Sequence, residues 1–398
     1  MHRYVHDAIA HDITRKMVLL SGPRQCGKTT LARHIMEQYP KSIYLNWDSA
    51  PDRRIVQKGA IDESSPLIVL DEIHKFRNWK NMLKGLYDTR RDAQHFLVTG
   101  SARLDVYRRG GDSLLGRYHH WRLHPITADE PVEGMSVKDV ISRLLVTGGF
   151  PEPFLGNDER EARRWRTERW DRVIKEDIRD LEAVRELGSL TMLLDLLKSR
   201  VGSPVVMSNL AEDLQVTSRT VLHWIEILER MYVIFRVFPL TAKVVRAIQK
   251  PPKIFFYDIA DVDEDMGMRA ENLIAAALLK RCHFLSDRDG YRYELRYIRD
   301  KEKREVDLVV LRNGVLLDAV EVKVNDDAVS KPLIHFRKHL NIPNTWQLSL
   351  ADRSPAVLSG IMRESFSHCL SRTVITDIDE NCASVITGKA KDVSSKRE

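Results

Sequence analysis

The chain has 398 residues, of which 43% are hydrophobic and 30% are charged, and its formal net charge is +6. This length is enough for two or three domains with their own cores, and the composition is that of a soluble globular protein and not of a disordered or membrane protein. The longest apolar runs are far too short to cross a bilayer, so we expect no membrane partner. The positive charge permits nucleic-acid binding without demonstrating it.

Targeting and redox features predict a cytoplasmic protein. The opening sequence MHRYVHDAIAHDITRK alternates polar and apolar residues and lacks the apolar block of a secretory signal. The four cysteines lie far apart and without metal-type spacing: Cys26, Cys282, Cys369 and Cys382. Such spacing suits a reducing compartment better than a disulfide framework.

The first third of the chain alternates short apolar strands with helices. The strand segments are KMVLLSG, KSIYLNWD, SPLIVLDE and HFLVTGSA, with helical stretches between them. This alternation is typical of a parallel sheet covered on both faces. We therefore predict an α/β fold that begins with a parallel-sheet domain over residues 1–130.

A phosphate-binding loop follows the first strand. The sequence GPRQCGKTT fits the P-loop pattern, in which glycines let backbone N–H groups wrap a phosphate at the start of a helix. Lys28 is expected to reach the β- and γ-phosphates of ATP, and the Thr29 hydroxyl to coordinate Mg²⁺. The residues expected to contact the nucleotide are Gly22, Pro23, Arg24, Gln25, Cys26, Gly27, Lys28, Thr29 and Thr30, with Asp71 and Ser101 later in the chain.

An acidic strand end strengthens the ATPase interpretation. The apolar strand in LIVLDEIHK ends in Asp71 and Glu72. Asp71 is a candidate to hold Mg²⁺, often through water, and Glu72 to orient the attacking water. Downstream of a P-loop, such a pair is typical of a Walker B motif.

The sequence leaves alternatives for the sensor residue and for the catalytic arginine. Thr99 and Ser101 lie at the tip of the strand in HFLVTGSARL, and either is a candidate to sense the γ-phosphate or the attacking water. Arg117 is the preferred arginine to neutralise transition-state charge, within its own chain or from a neighbouring subunit. A plain loop hydroxyl and a surface arginine are the alternatives.

Several spaced blocks resemble a known family. GPRQCGKTTL, LIVLDEIHK, FLVTGSARL, LLGRYHHWRLHP and GGFPEPFL occur in the order seen in prokaryotic AAA-type ATP-binding proteins with a C-terminal domain of unknown function. The resemblance covers roughly residues 3–350. It implies an AAA+-related P-loop NTPase, then a winged-helix segment and a restriction-endonuclease-like domain. Cys26 replaces a small aliphatic residue, which keeps the backbone contacts and suggests sensitivity to thiol oxidation.

The middle of the chain changes character. We expect a charged, helical lid or connector over residues 131–200 and a winged-helix-like domain over residues 201–255. In the latter, Ser208 and Ser218 are expected to cap the two helices of a helix-turn-helix. Acidic residues on the second helix dilute its positive face, so a packing or protein-contact role competes with DNA recognition.

Residues 256–365 return to α/β character, and residues 366–398 form a polar tail. The order helix, three strands, helix and strand, with Glu271, Asp307, Glu321 and Lys323, resembles the core of the PD-(D/E)XK nucleases. Carboxylates that face one another hold Mg²⁺, here Glu271, Asp307 and Glu321, and a lysine beside them positions the attacking water.

The hairpin between the last two strands decides whether these carboxylates meet. Glu321 and Lys323 share one strand face because side chains alternate. Asp307 joins that face if the loop is the three-residue Arg312–Gly314, or if a β-bulge corrects the parity of a two-residue loop. A regular two-residue hairpin argues against a metal site.

Two functional hypotheses follow. The first is a Mg²⁺-dependent ATPase that acts as a switch or motor coupled to a DNA-associated nuclease-like domain, with cleavage by Asp307, Glu321 and Lys323. The alternative is a nucleotide-controlled regulatory module that binds protein or DNA through a non-cleaving nuclease fold. An inert nucleotide binder is a third, more remote hypothesis. AAA-type proteins often form rings, so a homo-oligomer is a further expectation.

Overall fold

Two units organise the chain in the computed structural model, which describes residues 1–62, 64–91, 93–100, 114–173, 187–241, 250–325 and 328–371. The N-terminal unit holds residues 2–125 and 230–232. The C-terminal unit holds residues 126–229 and the described residues from 233 onward. The predicted boundaries at residues 200 and 255 fall inside the C-terminal unit.

A five-stranded parallel sheet forms the centre of the N-terminal unit, in the order β2-β3-β4-β1-β5. The central strands β1 and β3 are buried along their whole length, as expected for a parallel sheet covered on both faces. The predicted α/β fold with a leading parallel sheet is therefore confirmed. The strands are β1 (Met17–Ser21), β2 (Ile43–Asn46), β3 (Leu67–Asp71), β4 (His95–Thr99) and β5 (Tyr118–Arg122).

Four helices of the described N-terminal residues accompany this sheet. They are α1 (His6–Asp12), α2 (Lys28–Met36), α3 (Ala50–Lys58) and α4 (Trp79–Asp88). The helix α2 starts directly after the P-loop and buries Leu31, Ala32 and Ile35. This anchoring fixes the amino end of the helix at the carboxyl edge of the sheet.

The C-terminal unit begins with helices. A capping box formed by Ser136 and Asp139 starts the first of them, because each side chain satisfies a backbone N–H of the other residue. The helices are α5 (Val137–Thr147), α6 (Pro151–Gly156), α7 (Glu159–Arg172), α8 (Leu187–Lys198), α9 (Met207–Asp213) and α10 (Ser218–Arg230).

Both predicted caps of the helix-turn-helix are wrong by one or two positions. Val206 precedes α9, so Ser208 lies inside the helix. Thr217 caps α10, since its hydroxyl accepts the N–H of Thr220 at 3.1 Å. The start of α10 is otherwise as predicted, and its apolar face is fully buried at Val221, Ile225 and Leu228.

An eight-stranded mixed sheet follows, in the order β12-β13-β11-β10-β9-β8-β6-β7. Its core contains the predicted succession of one helix, three strands, a second helix and a fourth strand. The strands are β6 (Ile234–Pro239), β7 (Lys253–Phe256), β8 (Tyr293–Arg299), β9 (Glu305–Arg312), β10 (Val315–Lys323), β11 (Asn344–Ser349), β12 (Ala356–Leu358) and β13 (Ile361–Ser365). The helices are α11 (Met266–Asp289), α12 (Lys331–Leu340) and α13 (Phe366–Ser371).

The last helix corrects the predicted start of the polar tail. Phe366 and Cys369 in α13 are buried, so the folded part of the chain extends beyond residue 365. Residues 372–398 of the predicted tail lie outside the described residues. Within the described ranges, no helix has both the length and the apolarity needed to cross a bilayer.

The β9–β10 hairpin has a two-residue loop and a bulge. Asn313 and Gly314 form the turn with φ angles of 50° and 82°, and Arg312 pairs with Val315. The three-residue loop is therefore wrong. The register shifts between Leu316 and Asp318, and beyond this bulge Val320 pairs with Leu308. The shift corrects the parity, as the second alternative predicts, and brings Asp307 opposite Glu321.

Candidate functional site

The P-loop wraps the carboxyl end of β1 through glycine-dependent turns. Gly22 and Gly27 have φ angles of 149° and 97°, and Gln25 between them has a φ angle of 62°. A Cβ atom on Gly22 would lie 2.2 Å from the carbonyl oxygen of Leu123, so no other residue fits there. The loop backbone is thus held in the shape that points its N–H groups at a phosphate.

The Lys28 ammonium lies inside the curve of this loop. Its Nζ donates to the carbonyl oxygens of Gly22 and Pro23 at 3.0 and 2.6 Å. The side chain is buried. Phosphate oxygens carry full negative charge and form stronger hydrogen bonds than carbonyl oxygens. The lysine is therefore placed to exchange these contacts for the phosphates of a nucleotide.

Residues before β1 hold the P-loop in place and were missed by the sequence reasoning. The buried Arg3 guanidinium donates to the carbonyl oxygens of Cys26 and His124, at 2.9 and 2.6 Å. The hydroxyl of Tyr4 donates to the carbonyl oxygen of Arg122 at 2.5 Å. No local motif marks these contacts, because the partners lie 23 to 121 residues apart.

The predicted oxidation of Cys26 is wrong for the folded protein. Its side chain is fully buried, and its Sγ lies 3.7 Å from the carbonyl oxygen of Leu123. Oxidation of a thiol requires access to solvent and thiolate character, and burial denies the first. The cysteine therefore fills space beneath the P-loop.

The Asp71 carboxylate accepts hydrogen bonds from three hydroxyl groups at the carboxyl end of the parallel strands. Thr29 and Tyr44 donate to its Oδ2 at 2.8 and 2.5 Å, and Thr99 donates to its Oδ1. The predicted Mg²⁺ residues Thr29 and Asp71 thus meet, and Thr99 lies with them. The alternative sensor, Ser101, lies outside the described residues. Tyr44 was missed, and burial with the Asp71 contact raises the pKa of its phenol.

Glu72 stands beside this group in a left-handed backbone conformation, with a φ angle of 55°. Its N–H donates to the carbonyl oxygen of Thr99 at 3.1 Å, which links it to the tip of β4. Its buried Oε2 accepts no hydrogen bond from the described residues, although the Lys75 ammonium lies 3.3 Å away. An oxygen with spare acceptor capacity at this position is suited to orient a water.

Arg117 lies at the opposite edge of the sheet from the P-loop. It precedes β5, whose first residue Tyr118 pairs with Met17 at the start of β1. Its Nε and Nη2 donate to the Asp88 carboxylate at 2.7 and 3.0 Å. The predicted action within its own chain is therefore wrong, because the phosphate-binding loop follows the other end of β1. A role in a neighbouring subunit stays a prediction.

A buried lysine lies among three carboxylates in the C-terminal unit. The Lys253 Nζ, on β7, lies 2.8 Å from Glu305, 3.0 Å from Glu271 and 3.7 Å from Asp307. Burial lowers the pKa of Lys253, but the carboxylates outweigh it, and the net shift is upward. Lys253 and Glu305 are not among the predicted site residues, since no motif connects β7 with the nuclease-like pattern. We call Lys253, Glu271, Glu305 and Asp307 the acidic cluster.

Glu321 and Lys323 adjoin the acidic cluster on β10. Lys323 Nζ lies 3.0 Å from Glu321 Oε1, and the N–H of Val322 donates to Asp307 Oδ2 at 2.8 Å. The buried Glu321 Oε2 accepts no hydrogen bond from the described residues. Burial, reinforced by the charge of Asp307, raises the pKa of Glu321 to about 7.

The predicted metal ligands are not gathered into one coordination sphere. Among the described residues, the one group of three potential ligands with all donor atoms within 4.8 Å is His2, His6 and Asp7. Burial and the charge of Asp307 raise the pKa of Glu271 to about 8. The carboxylates have the chemistry that Mg²⁺ prefers, but an ammonium lies between two of the predicted ligands, Glu271 and Asp307.

Three family models match successive parts of the chain. Residues 14–132 match an AAA domain, residues 138–261 a domain of unknown function (DUF8612), and residues 266–354 a second domain of unknown function (DUF4143). The first match covers the parallel sheet, the P-loop and the Asp71 group. The other two matches name no activity for the C-terminal unit.

Relatives align over part of their length. An uncharacterized protein of Mycobacterium tuberculosis is 26% identical over 63% of this chain and 56% of the relative. An uncharacterized protein of Methanocaldococcus jannaschii is 23% identical over 62% of this chain and 61% of the relative. The chain thus spans less than two thirds of each of these relatives.

A solved structure of a Walker-type ATPase from Pyrococcus abyssi is also similar. It aligns with a TM-score of 0.39 and 13% identity, over 58% of this chain and 89% of that chain. The match to the AAA family model agrees with the P-loop and with the Thr29–Asp71 contact. Residues 14–132 therefore form an AAA-type domain with a P-loop.

Proposed function

We propose that the chain is a Mg²⁺-dependent ATPase that acts as a molecular switch. The observation that carries this proposal is the contact between Thr29, Asp71 and Thr99 beside the P-loop. These groups come from α2, β3 and β4, three elements whose ends meet at one edge of the sheet. Residues so far apart in sequence meet there because the parallel order puts β4 between β3 and β1.

Each residue of the site has a role in this proposal. Lys28 binds the β- and γ-phosphates, and Thr29 with Asp71 holds Mg²⁺. The metal, when bound, neutralises charge that develops on the phosphates. Glu72 accepts a proton of the attacking water and orients it through Oε2. Thr99 connects Asp71 to Glu72 through its hydroxyl and its carbonyl oxygen.

The decisive test of the proposed ATP hydrolysis is the Glu72→Gln variant. We expect the variant to bind ATP and to turn it over about 10²- to 10⁴-fold more slowly, the usual contribution of a positioned base. Glu37→Gln, an exposed residue at the end of α2, is the matched control and should leave turnover unchanged. Full turnover in Glu72→Gln would exclude the assigned role, and nucleotide release should be followed in parallel.

We further propose that nucleotide state controls a C-terminal unit that binds protein or DNA through a non-cleaving nuclease-like fold. The order of elements and the bulge that brings Asp307 opposite Glu321 support the fold. The Lys253 ammonium among the carboxylates supports the absence of cleavage, because a cation already neutralises the groups that would hold a metal.

Metal-assisted phosphodiester cleavage is the second candidate. The buried Glu321 Oε2, which accepts no described hydrogen bond, and the neighbouring Lys323 favour it. Supercoiled plasmid with Mg²⁺ and ATP separates the two candidates. We expect no nicking by the wild type or by Asp307→Ala. Nicking by the wild type that is lost in Asp307→Ala would replace the non-cleaving proposal with an ATP-coupled nuclease.

A further inference from the structure

The Lys253 side chain is a fully buried cation on β7, beside the nuclease-like strands of the C-terminal unit. It is 0% exposed, and three carboxylates from two other elements surround its ammonium. We propose that Lys253 is a resident cation that occupies the metal position of the acidic cluster, and that removing its ammonium creates a divalent-cation site. This inference rests on the proposed non-cleaving nuclease-like fold and explains how that fold is kept inactive.

The geometry around Nζ resembles coordination of a cation by oxygen ligands. Glu305, Glu271 and Asp307 place oxygens at 2.8, 3.0 and 3.7 Å from Nζ. The Glu305 and Glu271 oxygens lie at hydrogen-bond distance from the ammonium, and Asp307 at 3.7 Å is an ion-pair partner. A divalent ion binds oxygen ligands at about 2.0 to 2.6 Å, so Glu305 and Glu271 need to move inward by up to about 1 Å and Asp307 by more than about 1 Å. Carboxylates without Lys253 would repel one another and favour such an ion.

The lysine reaches the cluster from a rigid support. Lys253 pairs with Val237 on β6, and it also forms an isolated bridge with Pro204. Ile254 and Phe255, which follow it on β7, are fully buried. A side chain on a buried strand keeps its position. We therefore expect the Lys253 ammonium to stay among the carboxylates and metal ions not to displace it.

The backbone of Gly202 packs closely against the Glu271 carboxylate of the acidic cluster. Gly202 has a φ angle of 75°, and a Cβ atom there would lie 2.2 Å from Glu271 Oε2. The Glu305 carboxylate has a second partner, because Arg299 donates to its Oε2 at 2.9 Å. The cluster with Arg299 therefore contains three carboxylates and two cations.

This charge count suggests a variant that keeps the balance. Lys253→Met removes one positive charge and leaves the length of the side chain nearly unchanged. Glu305→Gln removes one negative charge, so the double variant has the net charge of the wild type. Glu271 and Asp307 remain as oxygen ligands. The double variant is the safeguard if Lys253→Met alone fails to fold.

The probe is Mn²⁺, which binds oxygen ligands and is detected by electron paramagnetic resonance. All proteins are full-length and carry Asp71→Asn, so that the ATPase site contributes little, and nucleotide and DNA are absent. We expect one additional Mn²⁺ per chain in Lys253→Met or in the double variant, relative to the Lys253 protein. Adding Asp307→Asn should weaken this extra site by about 10- to 100-fold.

Two results with the Lys253 proteins, and a third with a control variant, would overturn the proposal. One is a Lys253 protein that already binds this Mn²⁺ and loses it on Asp307→Asn. The other is a folded Lys253 variant with no additional Mn²⁺. Lys280→Met is the matched control, because Lys280 is also fully buried and pairs with Asp129 and Glu130. If Lys280→Met also bound one additional Mn²⁺, removal of any buried lysine would have the same effect, and the proposed role of Lys253 would be refuted. The Mn²⁺ measurement contains no ATP and no DNA. Its result therefore does not depend on whether the proposed ATPase or binding function is correct.

Discussion

Individual hydroxyl groups fix the orientation of the Asp71 carboxylate beside the P-loop. Asp71 is buried, and Thr29, Tyr44 and Thr99 all donate to it. Hydrogen bonds to a charged acceptor are stronger than neutral ones and fix the rotamer of the carboxylate. Tyr44 is of special interest because it touches Asp71 without belonging to a nucleotide-binding motif.

Tyr44→Phe tests this positioning role. We expect the Mg²⁺ concentration for half-maximal ATPase activity to rise about 10-fold, as is usual when a group that orients a metal ligand is lost. Maximal turnover at saturating Mg²⁺ should fall less. Tyr39→Phe is the control, since Tyr39 is half-buried on the same unit and packs its ring against His95. An unchanged Mg²⁺ dependence in Tyr44→Phe would refute the role.

At the scale of the element, the sequence reveals local signals and misses tertiary ones. The P-loop strand and helix, the apolar face of α10 and the position of the β9–β10 turn follow from periodicity and turn chemistry within a few residues, but the two-residue length of that turn does not. The bulge in β10 depends on how the strand packs, so sequence leaves two alternatives open. Lys253 joins the acidic cluster from β7 although β6 and β8 separate β7 from β9 in the sheet order, so no strand pairing in the sequence reveals the contact.

The β9–β10 turn gives a test at this scale. Gly314 has a φ angle of 82°, and Gly314→Ala should lower the free energy of unfolding by about 1–2 kcal/mol, the cost of a left-handed non-glycine residue. Gly188→Ala, at the start of the described part of α8 in the same unit, has open space at the Cβ position and should not lower the free energy of unfolding. Chemical denaturation measures both. An unchanged or higher free energy of unfolding in Gly314→Ala would contradict the turn assignment.

For the whole molecule, the position of Arg117 bears on assembly. The arginine pairs with the Asp88 carboxylate through two hydrogen bonds at the surface of the N-terminal unit. Because it lies at the edge opposite its own P-loop, a catalytic role requires the ATP site of a second chain.

Mixing two inactive variants tests this requirement. Lys28→Ala has a dead ATP site and an intact Arg117, whereas Arg117→Ala has an intact site and lacks the arginine. If Arg117 acts across an interface, mixed oligomers combine an intact site with an intact arginine, and ATPase activity should exceed the sum of the separate variants. Asp88→Asn, which removes only the partner of Arg117, should retain wild-type turnover. A mixture no more active than its parts would assign Arg117 to the surface ion pair alone, and would remove the sequence-based reason to expect a catalytic ring.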